Sequence, residues 1–166
     1  MPEADASVAM LCKLIYKRIF KMTAAEFIAY CKTHLGKPYI WGANGPDTFD
    51  CSGFAQFVLG EIGLDDPKED LAADGLYRRF KQSQNGTVIP KGLCGALVFY
   101  GIPNRVTHVA VCLDDINMIE AGGGGPKTKT VEIARKQKAE VRIKLINRRK
   151  DIVAIVLPKN LPWMQN

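Results

Sequence analysis

Tyr39-Ile-Trp-Gly-Ala-Asn-Gly-Pro-Asp-Thr-Phe-Asp-Cys-Ser-Gly-Phe54 is the stretch on which the reading of this chain turns. Gly42, Gly45 and Pro46 make its first half a shaped turn region rather than a strand. Its second half delivers Cys51 to the start of a helix. From there Phe54, Phe57, Val58 and Ile62 recur at helical spacing and close on Gly63, which predicts a helix with one apolar face and Asp50 as its N-cap. Cysteine attacks as its thiolate, and unpaired backbone N–H groups at a helix start favour that anion. Cys12, Cys31, Cys94 and Cys112 lack such neighbours and read as inert packing.

Upstream, Thr23-Ala-Ala-Glu26 is a capping-box pattern followed by Phe27, Ile28, Cys31 and Leu35 at helical spacing, with Gly36 and Pro38 to end the helix. Before it, Val8, Leu11, Cys12, Ile15 and Ile19 alternate with Lys13, Lys17, Arg18 and Lys21, which predicts an amphipathic helix from Ala6 to Lys21. Residues 1–22 are thus expected to be a helix packed on or appended to a domain spanning 23–166. Downstream, a helix is expected over about Asp70 to Lys81. Beyond Asn85-Gly86, strands are expected at Ala96 to Tyr100, His108 to Leu113, Asn117 to Ala121, Val131 to Ile133, Val141 to Ile146 and Ile152 to Leu157. Helices first and strands afterwards give an α+β fold, N-terminal helices on an antiparallel sheet.

A cysteine nucleophile needs a base close in space, and the chain has two histidines. His34 stands beside Lys32 near the end of the capped helix, where a surface or helix-dipole role is expected. His108 opens a strand on which it shares a face with Ala110 and Cys112, while Val109 and Val111 face the opposite layer. The base in turn needs an acceptor for its other ring nitrogen. If Asp114, Asp115 and Ile116 form the turn, Leu113 opposes Asn117, Glu120 opposes Ala110, and Glu120 lies diagonally from His108 on the same face. A two-residue turn would carry the glutamate to the other face. Asp114 and Asp115 are alternative acceptors, placed at the turn.

The 166 residues suit one domain, and 47% hydrophobic with 24% charged residues is a globular composition. No apolar run approaches the roughly 20 residues of a spanning helix. Five cysteines without paired spacing argue against a disulfide framework and against zinc. Residues 1–20 have no signal-peptide pattern, so synthesis in the cytoplasm with reduced thiols is expected. A net charge of +6 concentrates late, from Lys127 to Lys150, and favours anionic polymers; without an aromatic-rich motif it does not point to nucleic acid. Gly122 to Gly125 lacks the following Lys-Ser/Thr of a phosphate loop and reads as a rim of a substrate cleft.

Tyr39-Ile-Trp-Gly, Phe49-Asp-Cys-Ser-Gly, the Leu97-Val-Phe strand, Thr107-His-Val-Ala-Val and Met118-Ile-Glu-Ala, in that order between about Thr23 and Ala121, resemble the NlpC-type (NlpC/p-sixty) cysteine peptidases of bacterial cell walls. The resemblance implies a papain-like fold and hydrolysis of peptidoglycan stem peptides between D-γ-glutamyl and the following diamino acid, with no cofactor or metal. It implies Cys51 as nucleophile, His108 as base and Glu120 at a third position that is commonly histidine. Tyr39 would line the site near the thiol, and Asp50 and Ser52 would hold the free amino end of the stem peptide. Ala43 and Ala96 depart from a usual glycine and a frequent aspartate. The expected setting is a monomer acting on the bacterial cell wall, as a phage lysin, a virion component or a delivered effector, with anionic envelope polymers as further partners. The same dyad would also serve an amidase or acyltransferase, and the same fold a non-catalytic phage or envelope module.

Overall fold

The computed structural model of the protein describes residues 22–65, 69–82 and 84–165; the amphipathic helix expected from Ala6 to Lys21 lies outside them. Helix α1 (Ala24–Lys32) opens as its sequence dictates. The Thr23 hydroxyl accepts from the Glu26 amide at 3.2 Å, and the Glu26 carboxylate accepts from the Thr23 amide at 2.8 Å. The helix stops at Lys32, earlier than the spacing of Leu35 suggests, and Gly36 turns with φ +81° while its amide donates to Val141 O. Leaving the helix at this point reverses the expected faces: Leu35 is exposed, and His34 is buried with its ring edge-on to Tyr30, Phe49, Phe54 and Phe57. His34 is therefore not the surface histidine expected from its neighbour Lys32. Lys37 Nζ donates to its Nδ1 at 3.0 Å and to Pro46 O at 2.7 Å, tying α1 to the loop that leads to Cys51.

Helix α2 (Cys51–Glu61) is capped by Asp50 and buries eight of its eleven residues, including Ser52, Gly53 and Gln56, so it is a central helix rather than one with a single apolar face. Its polar Gln56 is satisfied by backbone: Nε2 donates to Glu69 O at 2.5 Å and Oε1 accepts from Leu71 N at 2.9 Å. These two bonds hold the chain before the next helix away from helical geometry. Helix α3 (Ala73–Tyr77) accordingly starts later than the expected Asp70 and continues as a wider π-helical turn over Arg78–Gln82.

The sheet is antiparallel and six-stranded. Its strands are β1 (Gly86–Val88), β2 (Leu97–Ile102), β3 (Arg105–Cys112), β4 (Asn117–Gly122), β5 (Glu140–Leu145) and β6 (Ile152–Pro158), in the order β1-β6-β2-β3-β4-β5. Alternation along the strands fills two cores. Leu97, Phe99, Val109, Val111 and Ile119 pack with Phe27, Phe54, Val58 and Leu59 of the helices, while Val98, Tyr100, Ala110, Cys112, Met118 and Ile155 form a second cluster. The short edge strand β1 was not expected from the sequence. Val131 to Ile133, expected as a strand, is instead the first turn of helix α4 (Val131–Gln137), because the Thr130 hydroxyl accepts from Ile133 N and caps it. Two branched residues in three mimic a strand, but one cap and the following Ala134 decide the conformation.

The β3–β4 hairpin has the longer of the two turns considered. Asp114 Oδ1 accepts from the amides of Ile116 and Asn117, Leu113 N donates to Asn117 O, and Val111 and Cys112 pair with Ile119 and Met118.

Candidate active site

Asp50 shapes the start of α2. Its Oδ1 accepts from Gly53 N at 2.8 Å and from the Ser52 hydroxyl at 3.0 Å, and its Oδ2 accepts from Gly42 N at 2.9 Å. One carboxylate thus caps the helix and fixes the loop on its near side. Gly53 is required by close approach, since a Cβ there would stand 2.2 Å from Ala43 O. Gly53→Ala is expected to lower stability by about 1–3 kcal/mol through overpacking, read as a lower urea midpoint.

Cys51, at the first position of α2, is 9% exposed. Facing it is His108 of β3, paired across the sheet with Tyr100. Between the pairs Tyr100–His108 and Gly101–Val106 the register shifts, leaving Thr107 as a bulge immediately before the histidine. His108 Nε2 donates to Glu120 Oε2 at 2.6 Å, which leaves Nδ1 for the neighbouring Cys51 thiol. Burial alone would lower the imidazole pKa; the bonds to Cys51 and Glu120 outweigh it and raise it to about 9. Glu120 is fully buried, which opposes its ionisation, yet His108, Arg148 and Arg142 lower its pKa to about 2. At neutral pH the pair is imidazolium and carboxylate.

Of the residues singled out in the sequence, the structure brings Cys51, His108 and Glu120 into one row, with His108 bonded to Glu120 and next to Cys51. Tyr39 is nearly buried beside them; burial first, then Cys51 and Asp50, raise the pKa of its hydroxyl. Asp50 and Ser52 line an open cleft of about 430 Å³ with Cys51, Trp41, Gly42, Asp70, Ala72, Ala73, Val106 and Thr107. Asp114, the alternative acceptor, is engaged in its own turn. Cys31, Cys94 and Cys112 are free thiols whose pKa burial raises, Cys94 to about 11 and Cys112 to about 12. A second concavity, of about 470 Å³ around Leu64, Arg79, Asn85 and Lys159, shares no residue with this row.

Two further features were not anticipated. Arg142 and Arg148 both donate to Glu120 Oε1. The glycine turn is bare for steric reasons: a Cβ on Gly122 would stand 2.6 Å from Glu120 Oε1, on Gly123 2.9 Å from Arg142 Nη1, and on Gly124 2.2 Å from the Tyr39 ring.

A central helix carrying a cysteine at its first position, laid against an antiparallel sheet that presents a histidine, defines a papain-like α+β domain. The family model for the NlpC/P60 family matches residues 36–144. Among curated proteins, the chain is similar to the probable endopeptidase p60 of Listeria innocua, 37% identical over 100 residues that make up 60% of this chain and 20% of that protein. It is also similar to a probable endopeptidase of Corynebacterium glutamicum, 32% identical over 91 residues, or 54% of this chain and 38% of that one. Among solved structures, an NlpC/P60 family protein from Bacillus cereus is 26% identical with a TM-score of 0.58, covering 81% of this chain and 39% of that one. NlpC2 from Trichomonas vaginalis shares the fold at 24% identity and a TM-score of 0.58, covering 80% and 45%. The protein belongs to the NlpC/P60 family. It spans about a fifth of the length of the Listeria relative.

Proposed function

We propose that the protein is a peptidoglycan endopeptidase that cuts stem peptides between D-γ-glutamyl and the following diamino acid through an acyl-enzyme. The observation that carries this reading is the row of Cys51, His108 and Glu120, whose Cys51 end lines the open cleft. The Cys51 thiolate attacks the amide carbonyl, and backbone N–H groups at the start of α2 receive the developing oxyanion. His108 gives its Nδ1 proton to the leaving amine, then takes a proton from the water that releases the acid and regenerates the thiol. Glu120 holds the imidazole in place through Nε2. Asp50 and Ser52 line the cleft where the free amino end of the stem peptide is proposed to rest, and Tyr39 forms the wall beside the thiol. The family membership and the endopeptidase names of the curated relatives support the choice of substrate.

Digestion of purified muropeptides followed by mass analysis tests it. The expected products are the two halves of the D-γ-glutamyl-diamino acid bond, one of them with a new amino group, and none after iodoacetamide treatment. Release of intact stem peptide from the glycan would instead identify an amidase.

A further inference from the structure

The proposed mechanism uses one oxygen of Glu120, and the other is as fully engaged. Arg142 stands directly opposite Glu120 in the β4–β5 pairing, and its Nε donates to Oε1 at 3.1 Å. Arg148 reaches the same atom through Nη2 at 2.9 Å from a single 3-10 turn, Ile146–Arg148. That turn is itself fixed, since the Tyr100 hydroxyl donates to Ile146 O at 2.8 Å and Ile146 N donates to Ile116 O at 2.9 Å. The backbone makes way for the arrangement, because Gly122 and Gly123 leave room for the carboxylate and for the Arg142 guanidinium. Two separate parts of the chain, β5 and the 3-10 turn, thus converge on one buried oxygen.

We propose that Arg142 and Arg148 are positioning residues for the Cys51–His108 pair: by clamping Oε1 they present Oε2 alone to His108 and offset the negative charge that a glutamate brings to this site. The proposal rests on the Cys/His reading above. Thiolate, imidazolium and carboxylate together leave a buried site with one net negative charge, and the carboxylate then opposes formation of the thiolate. Two guanidiniums reverse that balance while leaving the hydrogen bond to His108 intact. The remaining groups around the pair do not replace them: the Asp50 carboxylate, next to Cys51, carries a negative charge and is held by Gly42 N, the Ser52 hydroxyl and Gly53 N, and the Tyr39 hydroxyl beside the thiol is un-ionised. Arg149 lies over the Tyr100 ring with its fork committed to Asp151, the Tyr100 hydroxyl is un-ionised and bonded to Ile146 O, and Asp151 is neutralised by Arg149.

The test is the rate of Cys51 alkylation by iodoacetamide against pH, read by mass on the Cys51 peptide so that other cysteines do not contribute. Arg148 is the first target, since it sits on a surface turn with its side chain one third exposed. In Arg148→Gln the acid limb of alkylation is expected to move up by about 1 pH unit, at the low end of the effect of a nearby charge, and further when Arg142→Gln is added. Arg148→Lys, which keeps the charge, is expected to restore the limb while kcat/KM stays below wild type, because the fixed fork is gone. An unmoved acid limb in both single Gln variants, with only a lower thermal midpoint, would overturn the clamp and leave the arginines as braces. Wild-type Cys51 that alkylates without any pH dependence would overturn the nucleophile reading, and the clamp with it.

Discussion

Cys51→Ala is expected to remove stem-peptide hydrolysis almost entirely, and His108→Ala to do nearly the same, each by on the order of 10⁴–10⁶ in kcat. The two act as one unit: without the thiol there is no acyl-enzyme, and without the imidazole the thiol has no partner to hold its proton and no acid to protonate the leaving amine. The double variant should therefore be no worse than either single one, whereas two independent contributions would multiply. Cys51→Ala removes little buried volume and should leave the thermal midpoint close to wild type, whereas His108→Ala also strips the buried Glu120 carboxylate of its imidazole partner and should lower the midpoint. Initial rates on a defined muropeptide, together with a melting curve for each variant, check both halves. Retained turnover in Cys51→Ala would sink the proposed chemistry.

Glu120→Ala is expected to act on stability as well as rate. It leaves Arg142, Arg148 and His108 facing a buried gap, and breaking a buried charge network in this way costs about 3–5 kcal/mol. Turnover should fall by about 10²–10⁴, the range for losing the group that orients a catalytic histidine. The pH dependence follows from the two shifted groups. The stabilisation from the raised pKa of His108 is fully present below the ordinary histidine range and is lost as pH rises through about 9. That from the lowered pKa of Glu120 is present above the ordinary carboxylate range and is lost as pH falls towards about 2. In Glu120→Ala both dependences should flatten, and the alkaline limb of activity should move to lower pH because His108 loses the carboxylate that favours its charged form. Urea unfolding at several pH values and a pH–rate profile measure the two effects. A variant with an unmoved alkaline limb would show that Glu120 does not govern His108.

Much of the fold and of the row of side chains was legible because it rests on local signals. The capping box at Thr23, the cap at Asp50 and the three-residue turn at Asp114 are read within four residues, and the last of these sets the register that places Glu120 beside His108. What escaped the sequence depends on distance along the chain. Arg142 and Arg148 lie 22 and 28 residues from Glu120, and by composition they belong to a general basic field, when each in fact serves a single carboxylate. His34 was misplaced because the true helix end three residues before Leu35 inverts which residue turns inward. The strand expected at Val131 to Ile133 failed because branched residues carry a weaker instruction than the threonine in front of them.

Gly122, Gly123 and Gly124 bring these threads to one place, for each is bare on account of a different neighbour: the carboxylate, the guanidinium and the Tyr39 ring. At these three positions there is no room for a side chain without a shift of its neighbour. A side chain acquired at any of the three would press on Glu120, on the Arg142 guanidinium or on the Tyr39 ring, so a change here is passed on to the groups around His108 and Cys51. Room to vary lies instead in the cleft lining, where Trp41 and Asp70 are exposed.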